Sequence, residues 1–299
     1  MLRKILITGG EGQVGKALKL SLANKFKILS TSRNPSSKDL LNNITKMNII
    51  NRDNVFKVIK SFQPDIVINC AAYSDVDDNE IDKSLSHQVN VKGLDNILHS
   101  ISRDTQIIQI SSDYVFDGNN GPYIESDHTF PINYYGKKKL EAENLLRGSI
   151  NKWSIIRPNV IYGDDLFAKS NFFGWVYKSL IKNKQISIVT DQISNPTYVK
   201  DLVDSIFQCI IMSYEGILHF GSDNYISRYE FAIELAGIFR LDDSLIVPTT
   251  TEILTRDVAS YNAIRPKHSG LDTNKIEKEL NINTYSTSYS LRELNNILN

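Results

Sequence analysis

Two tyrosine–lysine pairs at helical spacing are the residues of this chain that best suit chemistry. Tyr135 and Lys139 are four residues apart, as are Tyr134 and Lys138, and on a helix this spacing places both side chains on one face. An ammonium beside a phenol favours the phenolate, so we expect the lysine to lower a tyrosine pKa that starts near ~10. Ser112 ends an apolar run and can bring a hydroxyl to the same point. Hydroxyl, phenol and ammonium together suit the reversible reduction of a carbonyl.

A Tyr-x-x-x-Lys pattern also occurs on ordinary solvated helices, so the interpretation depends on a cofactor site upstream. Residues 5–8 form a short apolar run that ends in a glycine turn, and apolar residues then recur at helical spacing. A strand, a glycine turn and a helix at the start of a chain are typical of a dinucleotide site, although the spacing here is Gly-x-x-Gly-x-x-Gly. The residues predicted to bind the dinucleotide at this turn are Gly9, Gly12, Gln13, Val14 and Gly15.

The end of the second predicted strand bears on the choice of cofactor. Residues 26–31 are followed by Ser32 and Arg33. An acidic residue at this place would bind the ribose hydroxyls of NAD, whereas an arginine can pair with a 2′-phosphate. The sequence therefore favours NADPH. NADH stays open, because an arginine just before Pro35 is also an ordinary loop residue.

The remaining strands must bring the reactive side chains to one edge of a sheet. Residues 48–50 are predicted as a third strand, residues 66–72 as a buried parallel strand that ends on small residues, and residues 107–112 as the strand that delivers Ser112. Ligands of open α/β sheets bind at the carboxyl ends of the strands. The further cofactor contacts predicted near these ends are Asn48, Ile49, Cys70, Ala71, Ala72, Tyr73, Ser111 and Pro158.

The alternation of strands and helices predicts an α/β fold with a doubly wound, mostly parallel sheet of the Rossmann type. Past residue 160 the pattern becomes irregular and indicates a smaller C-terminal α+β lobe. We expect a dinucleotide-binding domain over residues 1–160, with a return segment at about 185–218. Residues 161–184 and 219–299 are then expected to form the substrate-binding lobe.

Composition excludes several other classes of function. Lysines and arginines (34) balance aspartates and glutamates (34), so nothing in the net charge favours nucleic acid or an anionic membrane. No apolar stretch approaches the ~18 residues of a membrane helix, and no signal peptide is evident. The five histidines and two cysteines show no metal-ligand spacing. These features predict a cytoplasmic protein without a metal site.

With these residues placed, the chain resembles the extended short-chain dehydrogenase/reductase family over its whole length, and within it the dTDP-4-dehydrorhamnose reductases. The motifs that match lie at residues 8–15, 69–73, 76–77, 111–118, 135–143, 191–192, 196–197, 265–266 and 269–271. Because the family places a glycine after the tyrosine, the resemblance selects Tyr135 and Lys139 over the other pair.

The resemblance implies a reaction and a role for each residue. NADPH would give a hydride to C4 of a nucleotide-linked 4-keto-6-deoxy sugar, with dTDP-4-dehydro-L-rhamnose giving dTDP-L-rhamnose. Tyr135 would donate the proton, Lys139 would lower the phenol pKa and hold the nicotinamide ribose, and Ser112 would bind the carbonyl oxygen. The residues expected to contact the substrate are Val76, Asp113, Tyr114 and Arg265, the last at the nucleotide phosphates.

Related functions on the same framework stay open. A 4,6-dehydratase would have an Asp-Glu pair where this chain has Asp113 and Tyr114, so the reductase is the better interpretation. An epimerase that retains NAD and a non-catalytic regulatory subunit of the kind that binds methionine adenosyltransferase are the alternatives. Val160 stands where these reductases usually have a tryptophan, which leaves the identity of the sugar open. The acidic residues that pair some relatives through magnesium are not evident, so no metal is expected. A homodimer is left open.

Overall fold

The computed structural model describes residues 2–35, 44–166, 168, 171–257 and 262–298. In chain order its strands are β1 (Lys4–Thr8), β2 (Lys27–Ser32), β3 (Ile44–Lys46), β4 (Ile66–Asn69), β5 (Gln106–Ile110), β6 (Trp153–Pro158), β7 (Ile161–Tyr162), β8 (Ile186–Val189), β9 (Ile193–Ser194), β10 (Thr197–Tyr198), β11 (Gly216–Phe220), β12 (Ile226–Ser227) and β13 (Ile246–Thr249).

The α-helices surround these strands. They are α1 (Gln13–Leu22), α2 (Arg52–Phe62), α3 (Val76–Ile81), α4 (Lys83–His87), α5 (Gly93–Leu98), α6 (Tyr134–Arg147), α7 (Phe172–Ile181), α8 (Val199–Ile211), α9 (Arg228–Phe239), α10 (Thr251–Asp257), α11 (Asn274–Leu280) and α12 (Thr287–Leu298). A π-helical segment (Gln88–Lys92) joins α4 to α5, and 3₁₀ turns lie at Asp113–Val115 and Asp243–Leu245.

A parallel sheet forms the centre of the fold. In the described part of the chain it has seven strands in the order β3-β2-β1-β4-β5-β6-β11, and every neighbouring pair is parallel. The strand order reverses between β1 and β4, and such a switch point opens a crevice at the carboxyl ends of the strands. The predicted doubly wound Rossmann sheet is confirmed.

Alternation along each central strand gives the sheet two covered faces. Ile5 and Ile7 of β1 belong to one buried cluster together with Leu18 of α1. Leu6, between them, belongs to a second cluster together with Ile59 of α2. Because both faces are covered by helices, these strands appear in the sequence as continuous apolar runs.

The prediction of a third strand over residues 48–50 is wrong. The strand β3 ends at Lys46, and residues 49–50 form a turn. The Asn48 side chain accepts a hydrogen bond from the Ile50 backbone N–H (3.3 Å), and the backbone of Asn48 donates to the Asn54 side chain (2.8 Å). Asparagine side chains compete with strand pairing in this way and favour turns. The turn still brings Asn48 to the edge of the sheet.

The C-terminal part of the chain adds both to the central sheet and to material beside it. Helix α8 packs on α1, and β11 then pairs with β6 as the last strand of the central sheet. Outside that sheet, β8 pairs with β13, β9 with β12 and β7 with β10. The predicted boundary at residue 218, between the return segment and the substrate-binding lobe, falls inside strand β11. The division into two domains stays a prediction. Among the described helices, none is long and apolar enough to cross a membrane.

Candidate active site

A cavity of about 760 Å³ opens at the carboxyl edge of the central sheet, next to the switch point. This volume is in the range of cofactor and small-ligand sites. The predicted catalytic residues Ser112, Tyr135 and Lys139 all line it. So do all the predicted cofactor residues: Gly9, Gly12, Gln13, Val14, Gly15, Ser32, Arg33, Asn48, Ile49, Cys70, Ala71, Ala72, Tyr73, Ser111 and Pro158. The structure therefore brings together residues that are scattered over half of the sequence.

The first glycine turn is shaped for a phosphate group. Gly9 has a φ of +66°, and a Cβ at this position would lie 2.8 Å from the Cys70 carbonyl carbon and the Ala71 nitrogen. Helix α1 follows with Gly12 as its N-cap, without a side-chain cap and without an acidic residue in its first turn. The first N–H groups of a helix lack intrahelical partners and favour an anion. The turn therefore fits the pyrophosphate of a dinucleotide.

The residues at the end of β2 lie beside the first glycine turn and line the same cavity. Arg33 is exposed there, and the Ser32 hydroxyl donates a hydrogen bond to the Glu11 carboxylate. Asn48 and Ile49 line the cavity from the turn after β3. Arg33 supplies a positive charge that a 2′-phosphate could use. The nearby carboxylate of Glu11 is a feature that the sequence reasoning did not include.

Helix α6 positions the tyrosine and the lysine. The Asn133 side chain caps it by accepting a hydrogen bond from the Gly136 N–H (2.8 Å), as N-cap residues do. Gly136 packs so tightly that an added Cβ would lie 2.0 Å from the Tyr114 carbonyl oxygen. This close approach sets α6 against the 3₁₀ turn that follows Ser112. It explains in physical terms why a glycine follows Tyr135.

The catalytic candidates are buried and held by specific partners. Lys139 Nζ donates to the Ile110 carbonyl oxygen at 2.7 Å and lies 5.8 Å from the centre of the Tyr135 ring. The Ser112 hydroxyl donates to Asp113 Oδ1 at 2.9 Å. The Tyr114 ring packs edge-on against the Tyr135 ring, with centroids 5.9 Å apart. These contacts within the protein hold the three side chains in position.

The expectation that Lys139 lowers the phenol pKa is wrong for this structure. Burial raises the pKa of Tyr135, the charges of Asp113 and Tyr114 raise it further, and the Ser112 hydroxyl lowers it only in part. Burial also lowers the pKa of Lys139 to about 8, and its ammonium is turned towards the Ile110 carbonyl. Tyr135 is consequently protonated at neutral pH, which is the state that a general acid requires.

Asp113 is a buried carboxylate at the wall of the cavity. Burial raises its pKa to about 6, while the Ser269 and Ser112 hydroxyls and the Arg228 guanidinium favour the ionised form. In the described part of the chain, no donor reaches its Oδ2 atom with hydrogen-bond geometry. A buried polar atom of this kind needs a partner. Asp113 is therefore suited to accept a hydrogen bond from a hydroxyl of a bound substrate.

The predicted substrate residues are not all in the cavity wall. Val76 and Tyr114 line the cavity with Asp113, whereas Arg265 is not among the lining residues. The Arg265 guanidinium forms an ion pair with Asp77, next to Val76. Asp77 also accepts hydrogen bonds from the backbone N–H groups of Asn262 (2.7 Å) and Ala263 (2.8 Å). These contacts hold the segment of Arg265 against α3, beside the cavity.

Sequence reasoning missed part of the lining. The additional lining residues are Glu11, Lys16, Asn34, Met47, Ser74, Val89, Ile110, Asn159, Val160, Ile161, Asp165 and Ala168. Most of them are adjacent in the sequence to a predicted residue, and this adjacency could have indicated them. Asp165 had no such signal, because it comes from the segment after β7 and pairs with Lys16 (2.7 Å) across 149 positions.

Nearly the whole chain matches one known protein family. The model of a family described as the RmlD substrate binding domain matches residues 3–298. The chain belongs to this family. The family match extends over both the Rossmann sheet and the C-terminal part, so the cavity is formed entirely within the matched region.

Individual proteins are similar to this chain over almost its whole length. A dTDP-4-dehydrorhamnose reductase of Aggregatibacter actinomycetemcomitans is 33% identical over 98% of this chain and 98% of its own length. The crystal structure of dTDP-4-dehydrorhamnose reductase from Bacillus anthracis in complex with NADP is 30% identical and superposes with a TM-score of 0.87, covering 98% of this chain and 99% of that one. The resemblance found in the motifs is confirmed.

A protein with a different kind of name is also similar to this chain. Methionine adenosyltransferase 2 subunit beta of Rattus norvegicus is 30% identical over 92% of this chain and 82% of its own length. Sequence similarity of this degree therefore does not by itself distinguish an enzyme from a subunit of another enzyme. The side chains in the cavity must make that distinction.

Proposed function

We propose that this chain uses NADPH to reduce the C4 keto group of a nucleotide-linked 4-keto-6-deoxy sugar. The proposed substrate is dTDP-4-dehydro-L-rhamnose and the product is dTDP-L-rhamnose, as the names of two relatives suggest. The observation that supports this most is the placement of Ser112, Tyr135 and Lys139 in the same cavity as the first glycine turn.

The cofactor site is assigned to residues of the Rossmann sheet. Gly9 and the first N–H groups of α1 fit the pyrophosphate, Arg33 fits a 2′-phosphate, and Lys139 would hold the nicotinamide ribose. NADPH, when bound, supplies the hydride. The crystal structure of the B. anthracis relative contains NADP, which supports the assignment of this cofactor.

The proton comes from the protein. Tyr135 keeps its phenolic proton at neutral pH because burial raises its pKa. As C4 gains hydrogen, Tyr135 O–H donates this proton to the keto oxygen, so that an alcohol forms and the phenol is later reprotonated from solvent. Ser112 stabilises the charge that develops on the same oxygen, and Asp113 accepts a hydrogen bond from a sugar hydroxyl.

One other function has an observation in its favour. The similarity to methionine adenosyltransferase 2 subunit beta suggests a regulatory subunit built on the same fold. A subunit of that kind has no need of a hydroxyl, a protonated phenol and an ammonium that line one cavity. The complete set favours the reductase. A homodimer and a cytoplasmic location stay predictions.

The test is a turnover assay with the purified chain, NADPH and dTDP-4-dehydro-L-rhamnose. We expect loss of the absorbance of reduced nicotinamide and formation of dTDP-L-rhamnose in equal amounts. Sugar conversion without net loss of NADPH would indicate an epimerase instead. Absence of turnover with a panel of nucleotide 4-keto sugars would refute the reductase. A stable complex with a partner enzyme that survives Tyr135→Phe would then favour the regulatory subunit.

A further inference from the structure

The buried face of α6 carries a residue that the proposed reaction does not yet use. Glu143 follows Tyr135 and Lys139 at the same four-residue spacing, so it lies one turn beyond the lysine on the same face. Its side chain is fully buried (0% exposed). Carboxylates are rarely buried in this way unless they are paired, so its partners indicate its role.

The partners of Glu143 come from the end of β5, from β6 and from the last turn of α6. Its Oε1 atom accepts hydrogen bonds from the Ser111 hydroxyl (2.5 Å) and from Arg157 Nε (2.9 Å). Its Oε2 atom accepts from Arg157 Nη2 (2.7 Å) and Arg147 Nη2 (3.1 Å). Ser111 precedes Ser112, and Arg157 lies on β6. One carboxylate therefore joins α6, the end of β5 and the central sheet.

Glu143 also supplies the negative charge that most favours the charged form of Lys139. Lys139 is only 4% exposed, and this burial disfavours the charged form of its amine. Glu143 and Cys70 act in the opposite direction and favour the charged form. The other titratable groups towards this side of α6 are Tyr135, Asp113, Tyr114 and Arg157. The Arg157 guanidinium donates its hydrogen bonds to Glu143 itself. It also contacts His219, whose Nε2 atom is 3.2 Å from Arg157 Nη1.

The remaining charges packed against α6 are on its outer side. Glu80 of α3 accepts a hydrogen bond from the Tyr134 N–H (2.7 Å), and Lys83 lies over the Tyr134 ring. His87 of α4 is 3.5 Å from Glu141. Glu143 is thus the carboxylate on the lysine's own helical face.

We propose that Glu143 is a positioning residue for the reaction, which fixes α6 on the sheet through Arg157 and Ser111 and keeps the buried Lys139 ammonium charged. This role rests on the proposed function, because a charged Lys139 matters only if it holds a cofactor or assists Tyr135. It assigns a task to a side chain that touches neither substrate nor cofactor.

The experiment measures the ionisation of Lys139 in two independent ways. The pH profile of kcat/KM should fall on its basic side near pH 8, where the ammonium is lost. Competitive acetylation of the chain without cofactor, read by mass spectrometry of the peptide that contains Lys139, gives the same midpoint without any turnover. Acetylation of the exposed Lys57 is the internal reference. If no reductase activity exists, the labelling midpoint still tests the contribution of Glu143.

Three variants separate charge from structure. Glu143→Gln removes the charge and is expected to lower both midpoints by about one pH unit, which reduces kcat/KM about fivefold at pH 8 and little at pH 6. Glu143→Asp keeps the charge, and its midpoints should stay within a few tenths of a unit of the wild type. Glu141→Gln is the matched control, since Glu141 lies on the same helix but on its outer side.

A fourth variant covers loss of folding. Glu143→Gln leaves the buried Arg157 guanidinium poorly paired, so Glu143→Gln/Arg157→Met removes both charges together. Loss of the positive charge partly offsets loss of the negative one, so its midpoints should fall less than those of Glu143→Gln but still lie below the wild type. The proposal is overturned if the charge-removing variants keep the wild-type midpoints, or if their activity falls by the same factor at every pH.

Discussion

Replacing Tyr135 with Phe removes one oxygen atom and the proton that it holds. Burial raises the pKa of this phenol, so Tyr135 is protonated at neutral pH in the wild type. The variant has no phenolic proton and therefore loses the whole general-acid contribution of this residue. General acids contribute about 10²–10⁴-fold to rate, and we expect kcat to fall about 10³-fold, or ~4 kcal/mol of transition-state stabilisation. Ser112 remains as a hydrogen-bond donor, so the residual rate should still exceed the rate in solution.

The rest of the site should tolerate this change. The ring at position 135 packs on the Tyr114 ring, with centroids 5.9 Å apart, and phenylalanine keeps this ring. Loss of one hydrogen bond costs about 1 kcal/mol of unfolding free energy. We therefore expect the dissociation constant for NADPH, measured by quenching of intrinsic fluorescence, to change by less than about threefold. The kinetic loss is measured in single-turnover experiments at saturating substrate.

The second tyrosine–lysine pair provides the control. Tyr134 has the same spacing to Lys138 as Tyr135 has to Lys139, but it does not line the cavity, and the ammonium groups of Lys83 and Lys138 lie 5.5 and 4.9 Å from its ring centre. Tyr134→Phe should keep kcat within about twofold of the wild type. The reasoning is refuted if Tyr135→Phe loses less than tenfold in kcat, or if the two variants lose equal amounts.

Three further changes test other parts of the site. Arg33→Ala should weaken the binding of NADPH about tenfold and leave that of NADH unchanged, because only NADPH has a 2′-phosphate. Asp113→Asn should raise KM for the sugar and remove a pH dependence of stability. Because the pKa of Asp113 is raised to about 6 in the folded protein, the unfolding free energy of the wild type should fall as pH rises from about 4 to about 6. The fall relative to the variant is on the order of 2 kcal/mol. Arg265→Ala should raise KM for the nucleotide sugar severalfold without changing NADPH affinity.

Each of these expectations has a clear contrary result. Equal losses of NADPH and NADH affinity in Arg33→Ala would remove the arginine from cofactor selection. Parallel stability curves of the wild type and Asp113→Asn, followed by urea unfolding between pH 4 and pH 7, would contradict the raised pKa. An unchanged KM in Arg265→Ala would assign its guanidinium to the ion pair with Asp77 alone.

Much of the site was predictable because its signals are local. The glycine turn at Gly9 follows a strand directly, and the spacing of Tyr135 and Lys139 fits one helical face, so both could be read without long-range information. Parallel strands then bring their carboxyl ends to one edge, which explains why residues as distant as Ser32 and Pro158 line one cavity. The capping box that Ser227 and Glu230 form at the start of α9 has an equally local signal, a serine with a glutamate three residues later.

The features that sequence reasoning missed depend on tertiary packing. The pKa of Tyr135 rises because the whole side chain is buried, and helical spacing to a lysine does not reveal burial. Residues 48–50 have the apolar content of a strand, but the asparagine side chains at 48 and 54 direct the chain into a turn instead. The pairing of Asp165 with Lys16 joins segments that share no motif, so nothing in the sequence indicated it.

The central claim is that hydride transfer from a nicotinamide and proton transfer from Tyr135 occur at one ketone. The most direct measurement uses NADPH with deuterium at the transferable position of the nicotinamide and dTDP-4-dehydro-L-rhamnose as substrate. Mass spectrometry and NMR of the product should show one deuterium at C4 of the sugar in the wild type, at a rate that falls about 10³-fold in Tyr135→Phe. Product without deuterium at C4, or deuterium transfer that does not depend on Tyr135, would contradict the account.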